Sequence, residues 1–340
     1  MWKKPEEKAE TSASSDDMKD SYGREIDYLR ISVTDLCNMR CVYCMPEEGV
    51  EKLPHSCILS YDEICRIVSL MAPMGIKKVK ITGGEPLVRK GITGLIRDIK
   101  NIPGIEQVTL TTNGTNLKRY LDELRDIGID GINISMDSLR REGFVRASRT
   151  DLYDEAMEGL EAAIKSGLNV KINCVPILED RDITDLAALA RDEDVQVRYI
   201  EIMPVGQGKN FTLRPEEDIM KTLEEKFGRA VPAGAVKGNG PAHYVSFEGF
   251  RGNIGFISAI SHKFCSSCDR LRLTADGHIK TCLQYESGVF LRDMLRDGTA
   301  DEDIKKAVSR AVCEKPRCHE FGTEPDSLSP DSRLMSQIGG

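Results

Sequence analysis

Between Tyr28 and Ile202 short apolar runs alternate with longer helical patterns, and this alternation constrains the fold more than any other feature of the chain. The strand candidates are Tyr28–Val33, Lys77–Thr82, Gln107–Thr112, Gly131–Met136, Asn169–Val175 and Val195–Ile202. Helical patterns separate them at roughly Tyr61–Met71, Gly91–Lys100, Leu117–Ile127, Leu152–Ser166 and Thr184–Ala190. Ser60 and Glu63 give an S-x-x-E capping signature ahead of the first helix, and Gly128 and Gly167 stand where helices should stop. Six such units in a row predict a parallel α/β sheet, an incomplete (β/α)6 TIM-like barrel in preference to an open sheet, although periodicity alone does not separate the two.

Alternation within the strands carries the first functional information. Leu29, Ile31 and Val33 face one way, and Arg30 and Ser32 the other. Val79 and Ile81 oppose Lys78, Lys80 and Thr82; Val108 and Leu110 oppose Thr109, Thr111 and Asn113. Ile132, Ile134 and Met136 oppose Asn133, Ser135 and Asp137, and Val170, Ile172 and Cys174 oppose Lys171 and Asn173. A closed barrel fills its interior with branched apolar side chains, so these polar faces predict an interior that is wet or holds a polar ligand. Arg30, Lys78, Lys80 and Lys171 share that face. Four cations in one cavity repel one another unless an anion, or internal acids such as Asp137 and Glu201, offset them.

The loop after the first strand holds Cys37, Cys41 and Cys44 in a C-x3-C-x2-C spacing. Soft thiolates select zinc, copper(I) or iron–sulfur groups, and a structural zinc normally takes four ligands. A zinc knuckle recruiting His55 or Cys57 is therefore the rival to a four-iron cluster that three cysteines leave with one open iron. Eleven cysteines without a secretion signal fit a reducing interior with metal or redox chemistry. After the second strand, Thr82-Gly83-Gly84-Glu85-Pro86 offers close backbone approach to a ligand and a carboxylate suited to an ammonium group.

Beyond Pro215 the pattern changes. A helix near Glu216–Phe227 leads to a Gly/Pro-rich stretch, then to strands near His243–Phe247 and Asn253–Ile257, which places a boundary near residue 230. A second cysteine set comes next, Cys265, Cys268 and Cys282, with a hairpin turning at Asp276-Gly277 that brings Cys282 back toward Cys268. Helices are expected at Leu291–Arg296 and Asp303–Val312, then an irregular tail ending Gly339-Gly340. The expected division is a disordered tail over residues 1–20 (with Met18 as working initiator), a core over 21–230 and a C-terminal cluster domain over 231–340. A net charge of −8 argues against a nucleic-acid polymer as partner, and no run is apolar enough to span a membrane. A cytoplasmic setting is expected.

The cysteine spacing, the aromatic before the last of those cysteines and the Gly-Gly-Glu-Pro turn resemble the radical S-adenosylmethionine superfamily. The second cysteine set, Arg270, Arg272 and the terminal glycines narrow the resemblance to its GTP 3′,8-cyclase family, over about Ser21 to Gly340. The resemblance implies two 4Fe-4S clusters, S-adenosylmethionine as cofactor and GTP as substrate, in the first step of molybdenum cofactor biosynthesis. It places Tyr43, Gly84, Ser135 and Met203 against S-adenosylmethionine. Arg30, Lys80, Thr111, Lys171, Arg270 and Arg272 fall at GTP positions, with Lys78 and Arg198 as further cations of the channel. Gly339 and Gly340 would reach into the active site with Arg270 and Arg272. It also implies an electron donor of flavodoxin or ferredoxin type and a downstream cyclic pyranopterin monophosphate synthase, and it allows a homodimer. Lys80 departs from the family's Arg and loses a bidentate fork, and Leu36 replaces an expected basic residue. Cys57, Cys65 and Cys174 read as loop, helix-face and buried thiols, and Cys313-x4-Cys318 as too loose a spacing for a metal site.

Overall fold

The computed structural model describes residues 18–234, 238, 240–321 and 329–339. The expected N-terminal tail lies outside the described residues for 1–17, but Met18, Lys19 and Asp20 belong to the fold. Met18 is buried in the core, its carbonyl accepts from Ile26 N at 2.7 Å, and Asp20 pairs with Arg24 out of solvent.

Six strands, β1 (Tyr28–Ser32), β2 (Lys78–Thr82), β3 (Gln107–Thr112), β4 (Gly131–Ser135), β5 (Val170–Cys174) and β6 (Gln196–Ile200), pair in parallel and in chain order. The helices between them are α1 (Tyr61–Met71), α2 (Ile92–Lys100), α3 (Leu117–Ile127), α4 (Arg141–Ser148), α5 (Tyr153–Lys165) and α6 (Asp180–Asp192). Ser60 caps α1 reciprocally: its hydroxyl accepts from Glu63 N at 3.1 Å and its own N–H donates to Glu63 Oε2 at 2.7 Å, a cap contributing about 1 kcal/mol. Gly128 ends α3 in the left-handed region at φ 73°, a conformation that disfavours a side chain.

The alternation deduced from sequence sorts the layers. Leu29, Ile31, Ile81, Val108, Leu110, Ile134 and Ile172 have no measurable exposure and pack with Ile67, Leu95, Leu124 and Leu160 of the helices. Each such side chain contributes roughly 1.5–3 kcal/mol of burial. The helices cover that face of the sheet, so its polar face looks inward.

Beyond α7 (Glu216–Phe227) the chain extends the same sheet across residue 230. The strands are β7 (Val231–Pro232), β8 (His243–Ser246), β9 (Asn253–Ile257), β10 (Arg270–Leu273), β11 (His278–Lys280) and β12 (Gly288–Phe290). Strand β9 pairs in parallel with β6, and β10 in parallel with β1, so the six-strand core gains a parallel neighbour at each edge. Antiparallel pairs β10–β11–β12 and β9–β8–β7 finish the edges of an open sheet of 12 strands. The hairpin turns at Gly277, φ 91°, as its Asp-Gly signal indicates.

Three helical details differ from expectation. Helix α6 is longer than its apolar stripe, because Asp180 and Asp182 extend its first turn. Helix α4 lacks a side-chain cap and has few apolar residues, so it had no periodic signal; it is held by burial of Phe144 and Ala147. In the tail, α10 (Met335–Ile338) replaces the expected irregular chain, after α8 (Arg292–Arg296) and α9 (Asp301–Cys313). Gln337 folds back to accept from Leu334 N at 3.0 Å, a local bond too short for periodicity to reveal.

Candidate active site

Parallel register sets the inward-facing residues in rows. Lys280, Arg272, Arg30, Lys80 and Thr109 are consecutive partners across β11, β10, β1, β2 and β3. One step along, Thr111, Asn133 and Lys171 are partners across β3, β4 and β5; further on, Ser135, Asn173 and Arg198 align across β4, β5 and β6. All these side chains line one cavity of about 370 Å³, within the size range of small-molecule sites.

The cavity wall is rich in cations, of which Arg24, Arg270 and Lys280 pair with Asp20, Asp269 and Asp331. Arg198 donates to the Asn133 and Asn173 side-chain oxygens at 2.7 and 2.6 Å, which are neutral partners. Among the described residues no carboxylate lies within ion-pair distance of Lys80, Arg198 or Arg272. Asp137 instead accepts from Tyr43 Oη and Val175 N, both at 2.8 Å, and Glu201 accepts from Ile260 N, Ser261 N and the Ser261 hydroxyl. Both acids that could have offset the cations are spent on backbone and hydroxyl donors. Burial, then Arg198, pushes the Lys171 ammonium down to about 8, and burial with Arg198, Arg30, Lys171 and Arg270 pushes Lys80 well below its usual value. An incoming polyanion would reverse both shifts.

At the carboxyl end of β1 the first cysteine loop is held by backbone. Glycine is required at 83 and 84: a Cβ on Gly83 would lie 2.8 Å from Thr34 O, and one on Gly84 would lie 2.3 Å from Leu36 O. That closeness lets Gly84 N donate to Thr34 O at 2.7 Å and Glu85 N to Leu36 O at 2.8 Å. The unexpected α4 supports the other side, where Val42 N and Arg40 N donate to Ala147 O and Ser148 O at 2.9 Å. Cys37 Sγ accepts from Met39 N at 3.4 Å and faces the Asn113 amide at 4.0 Å. Burial, chiefly, pushes the thiols up, to about 11 for Cys37 and about 12 for Cys44, with Cys41 also well above its ordinary value. The Glu85 carboxylate, expected to meet an ammonium, takes Leu87 N at 2.9 Å and the Thr112 hydroxyl and Asn113 N at 2.7 Å; burial raises it to about 7.

The second set lies across the same cavity. Arg24 fastens it, donating to Cys265 O at 2.7 Å, Pro316 O at 2.7 Å and Arg317 O at 3.0 Å, while Lys315 donates to Arg270 O at 2.9 Å and to Thr281 O. Burial pushes the Cys265 thiol up, opposed by the His319 backbone beside it. Burial alone would raise Cys268, but Lys315 and Arg270 bring its thiol below the ordinary value.

The structure brings together Cys37, Cys41, Cys44, Cys265, Cys268 and Cys282 with Tyr43, Gly84, Ser135, Met203, Arg30, Lys80, Thr111, Lys171, Arg198, Arg270 and Arg272 around the cavity. Lys78 is the exception and a correction to the sequence reading. It starts β2, two residues short of Lys80, and pairs with Asp27 at 2.7 Å away from the cavity lining. Gly339 is placed by its carbonyl, which accepts from Arg272 Nη1 at 2.6 Å; Gly340 lies outside the described residues. Sequence reasoning missed Arg24, Lys280, Lys315 and Cys318 as lining residues. Lys280 was recoverable from the hairpin register opposite Arg272. The other three sit in loops and at helix ends, where no periodicity reports direction.

The donor sets fit iron–sulfur groups. Among the described residues no three His, Cys, Asp or Glu side chains converge as a single-ion site requires, yet the three thiols of the first set act on one another electrostatically. Thiols grouped around a common space without a common point suit a multi-iron cluster, and the N–H donors facing their sulfurs are the outer shell such a cluster needs.

Sheet, cysteine loop and cavity together define a radical S-adenosylmethionine protein. Residues 31–190 match the family described as "Radical SAM superfamily", and residues 195–321 match "Molybdenum Cofactor Synthesis C". Among solved structures, Streptococcus suis SuiB bound to S-adenosylmethionine shares the fold, with a TM-score of 0.58 at 15% identity over 82% of this chain and 68% of that one. The chain is 43% identical to the GTP 3′,8-cyclase of Clostridium perfringens (strain 13 / Type A) over 95% of its length and 100% of the relative's. It is equally 43% identical to that of Petrotoga mobilis over the same shares, and 42% to that of Heliobacterium modesticaldum. The chain belongs to the GTP 3′,8-cyclase family.

Proposed function

We infer that the chain is a lyase that cyclises GTP to (8S)-3′,8-cyclo-7,8-dihydroguanosine 5′-triphosphate, the first step of molybdenum cofactor biosynthesis. The observation that carries this reading is the single cavity shared by two three-cysteine sets and a cationic strand face. When bound, a reduced four-iron cluster and S-adenosylmethionine supply a 5′-deoxyadenosyl radical able to take the 3′ hydrogen of GTP. Cys37, Cys41 and Cys44 would hold that first cluster, and Cys265, Cys268 and Cys282 the second.

The protein's own residues bind, orient and shield. Tyr43, Gly84, Ser135 and Met203 line the end of the cavity beside the first set and would receive S-adenosylmethionine. Arg30, Lys80, Lys171 and Arg198, with the Thr111 hydroxyl beside them, would bind the triphosphate, an anion suited to so many cations on one strand face. Arg270 and Arg272, on the strand between the two sets, would hold the nucleotide near the second, with Gly339 and Gly340 closing the site. The domain division assigns residues 21–230 to the S-adenosylmethionine core and 231–340 to the second cluster, joined by one sheet. A flavodoxin- or ferredoxin-type donor in the cytoplasm would supply the electron, and cyclic pyranopterin monophosphate synthase would take the product. Among the described residues no helix is long and apolar enough to cross a membrane.

Anaerobic incubation with GTP, S-adenosylmethionine and dithionite is expected to give 5′-deoxyadenosine and cyclised nucleotide in equal amounts. Formation of 5′-deoxyadenosine with GTP returned unchanged would overturn the assignment.

A further inference from the structure

The C-terminal segment ties the second cysteine set to the first. It is anchored on β11, where the fully buried Lys280 ammonium pairs with Asp331, and Arg333 adds bonds to Asp331 at 2.9 Å and to His278 Nδ1 at 2.8 Å. Helix α10 then crosses to the loop of the first set. Its Ser336 is 1% exposed, and the Ser336 backbone lies close enough to the Cys44 thiol to oppose the upward push of burial on it. Gly339, at φ 88°, seats against β1 and β2, where a Cβ would lie 2.9 Å from Ser32 Cβ; its carbonyl is held by Arg272.

One polar atom in this segment is unexplained by the protein. The Ser336 hydroxyl is buried and has no hydrogen-bond partner among the described residues. A buried hydroxyl without an acceptor costs about 1–3 kcal/mol, and it stands on the residue whose backbone already lies beside a ligand sulfur. The sulfides of a four-iron cluster on Cys44 are anionic acceptors on that side. Hydrogen bonds to cluster sulfurs stabilise the reduced, more negative state and raise its potential.

We propose that Ser336 is a positioning residue of the first cluster: its N–H and its hydroxyl both donate to sulfurs at Cys44, so that docking of the C-terminal helix sets the potential at which this cluster accepts its electron. The proposal rests on the reading of Cys37, Cys41 and Cys44 as cluster ligands.

The test is an EPR-monitored redox titration of the reconstituted full chain, following the four-iron signal that changes when S-adenosylmethionine is added. Ser336→Ala is expected to keep its iron and to shift that signal to a more negative potential, while Ser336→Thr, which retains a hydroxyl, restores it. Exchange into deuterated water with ENDOR is expected to lose one exchangeable proton coupling in Ser336→Ala. An unchanged potential and coupling in Ser336→Ala would overturn the proposal. Loss of first-cluster iron in both variants would also overturn it, making Ser336 a packing residue. Wild-type protein lacking any signal responsive to S-adenosylmethionine would instead overturn the cysteine assignment beneath it.

Discussion

The two cysteine sets share a cavity and a count of thiols but differ in electrostatic setting. Burial dominates at the first set, which sits beside the carboxyls of Glu85 and Asp137, and all three thiols are pushed up. At the second set Lys315 and Arg270 outweigh burial for Cys268, while burial still pushes the half-buried Cys265 up. Cations nearby make a cluster easier to reduce and draw an anionic substrate; acids and a dry wall do the opposite. With the proposed function, the contrast fits a division of labour in which the first set delivers a low-potential electron to a cofactor and the second meets the nucleotide.

The sharpest way to break that contrast is to delete one set at a time. Cys37→Ala is expected to remove both 5′-deoxyadenosine and cyclised GTP, with more than a thousandfold loss of each in anaerobic assays. Cys282→Ala should spare iron at the first set and abolish cyclisation, with 5′-deoxyadenosine formation persisting. Equal effects on both products would erase the distinction.

Gly84→Ala separates the sets by structure. Its Cβ would meet the Leu36 carbonyl, a backbone atom that cannot step aside, so about 1–3 kcal/mol of strain should fall on the first loop. Iron analysis should find the first cluster depleted and the second retained.

Within the cavity, Arg272→Ala should lower kcat/KM for GTP by about 10- to 100-fold, as loss of a charge-assisted contact does. Lys78→Ala should stay within about threefold, because its side chain pairs with Asp27 away from the cavity lining. A large Lys78 effect would return that residue to the site.

The gentlest probe is pH. Lys171 is held near 8 in the free cavity, so triphosphate binding must take up a proton there once pH passes that value, and the downward shift of Lys80 acts in the same direction. Affinity favours the protonated form, so Kd for GTP should rise with pH above about 8, up to tenfold per unit for each proton taken up. Calorimetry in buffers of different ionisation enthalpy counts those protons.

Local pattern exposed much of this. The edges of α1, α3, α7, β3 and β9 coincide with the expected ones, because capping, glycine stops and alternation act within a few residues. The polar faces, both cysteine sets and most cations of the cavity were legible for the same reason. Helix α4 was not, since its stability comes from packing Phe144 and from accepting the cysteine loop's N–H groups. Lys78 was misplaced because alternation gives the face of a strand but not how far along it the cavity extends.

By itself, then, the sequence determined which side chains point inward and which loops carry thiols. Only tertiary structure decided that β9 and β10 flank the six-strand core as parallel edges, which puts Arg272 beside Arg30 and the second set across from the first. It also decided that α10 returns to Cys44. Both depend on partners hundreds of residues apart, and pairing at that distance is set by register, burial and the mutual need of buried donors and charges, none of which is written in local periodicity.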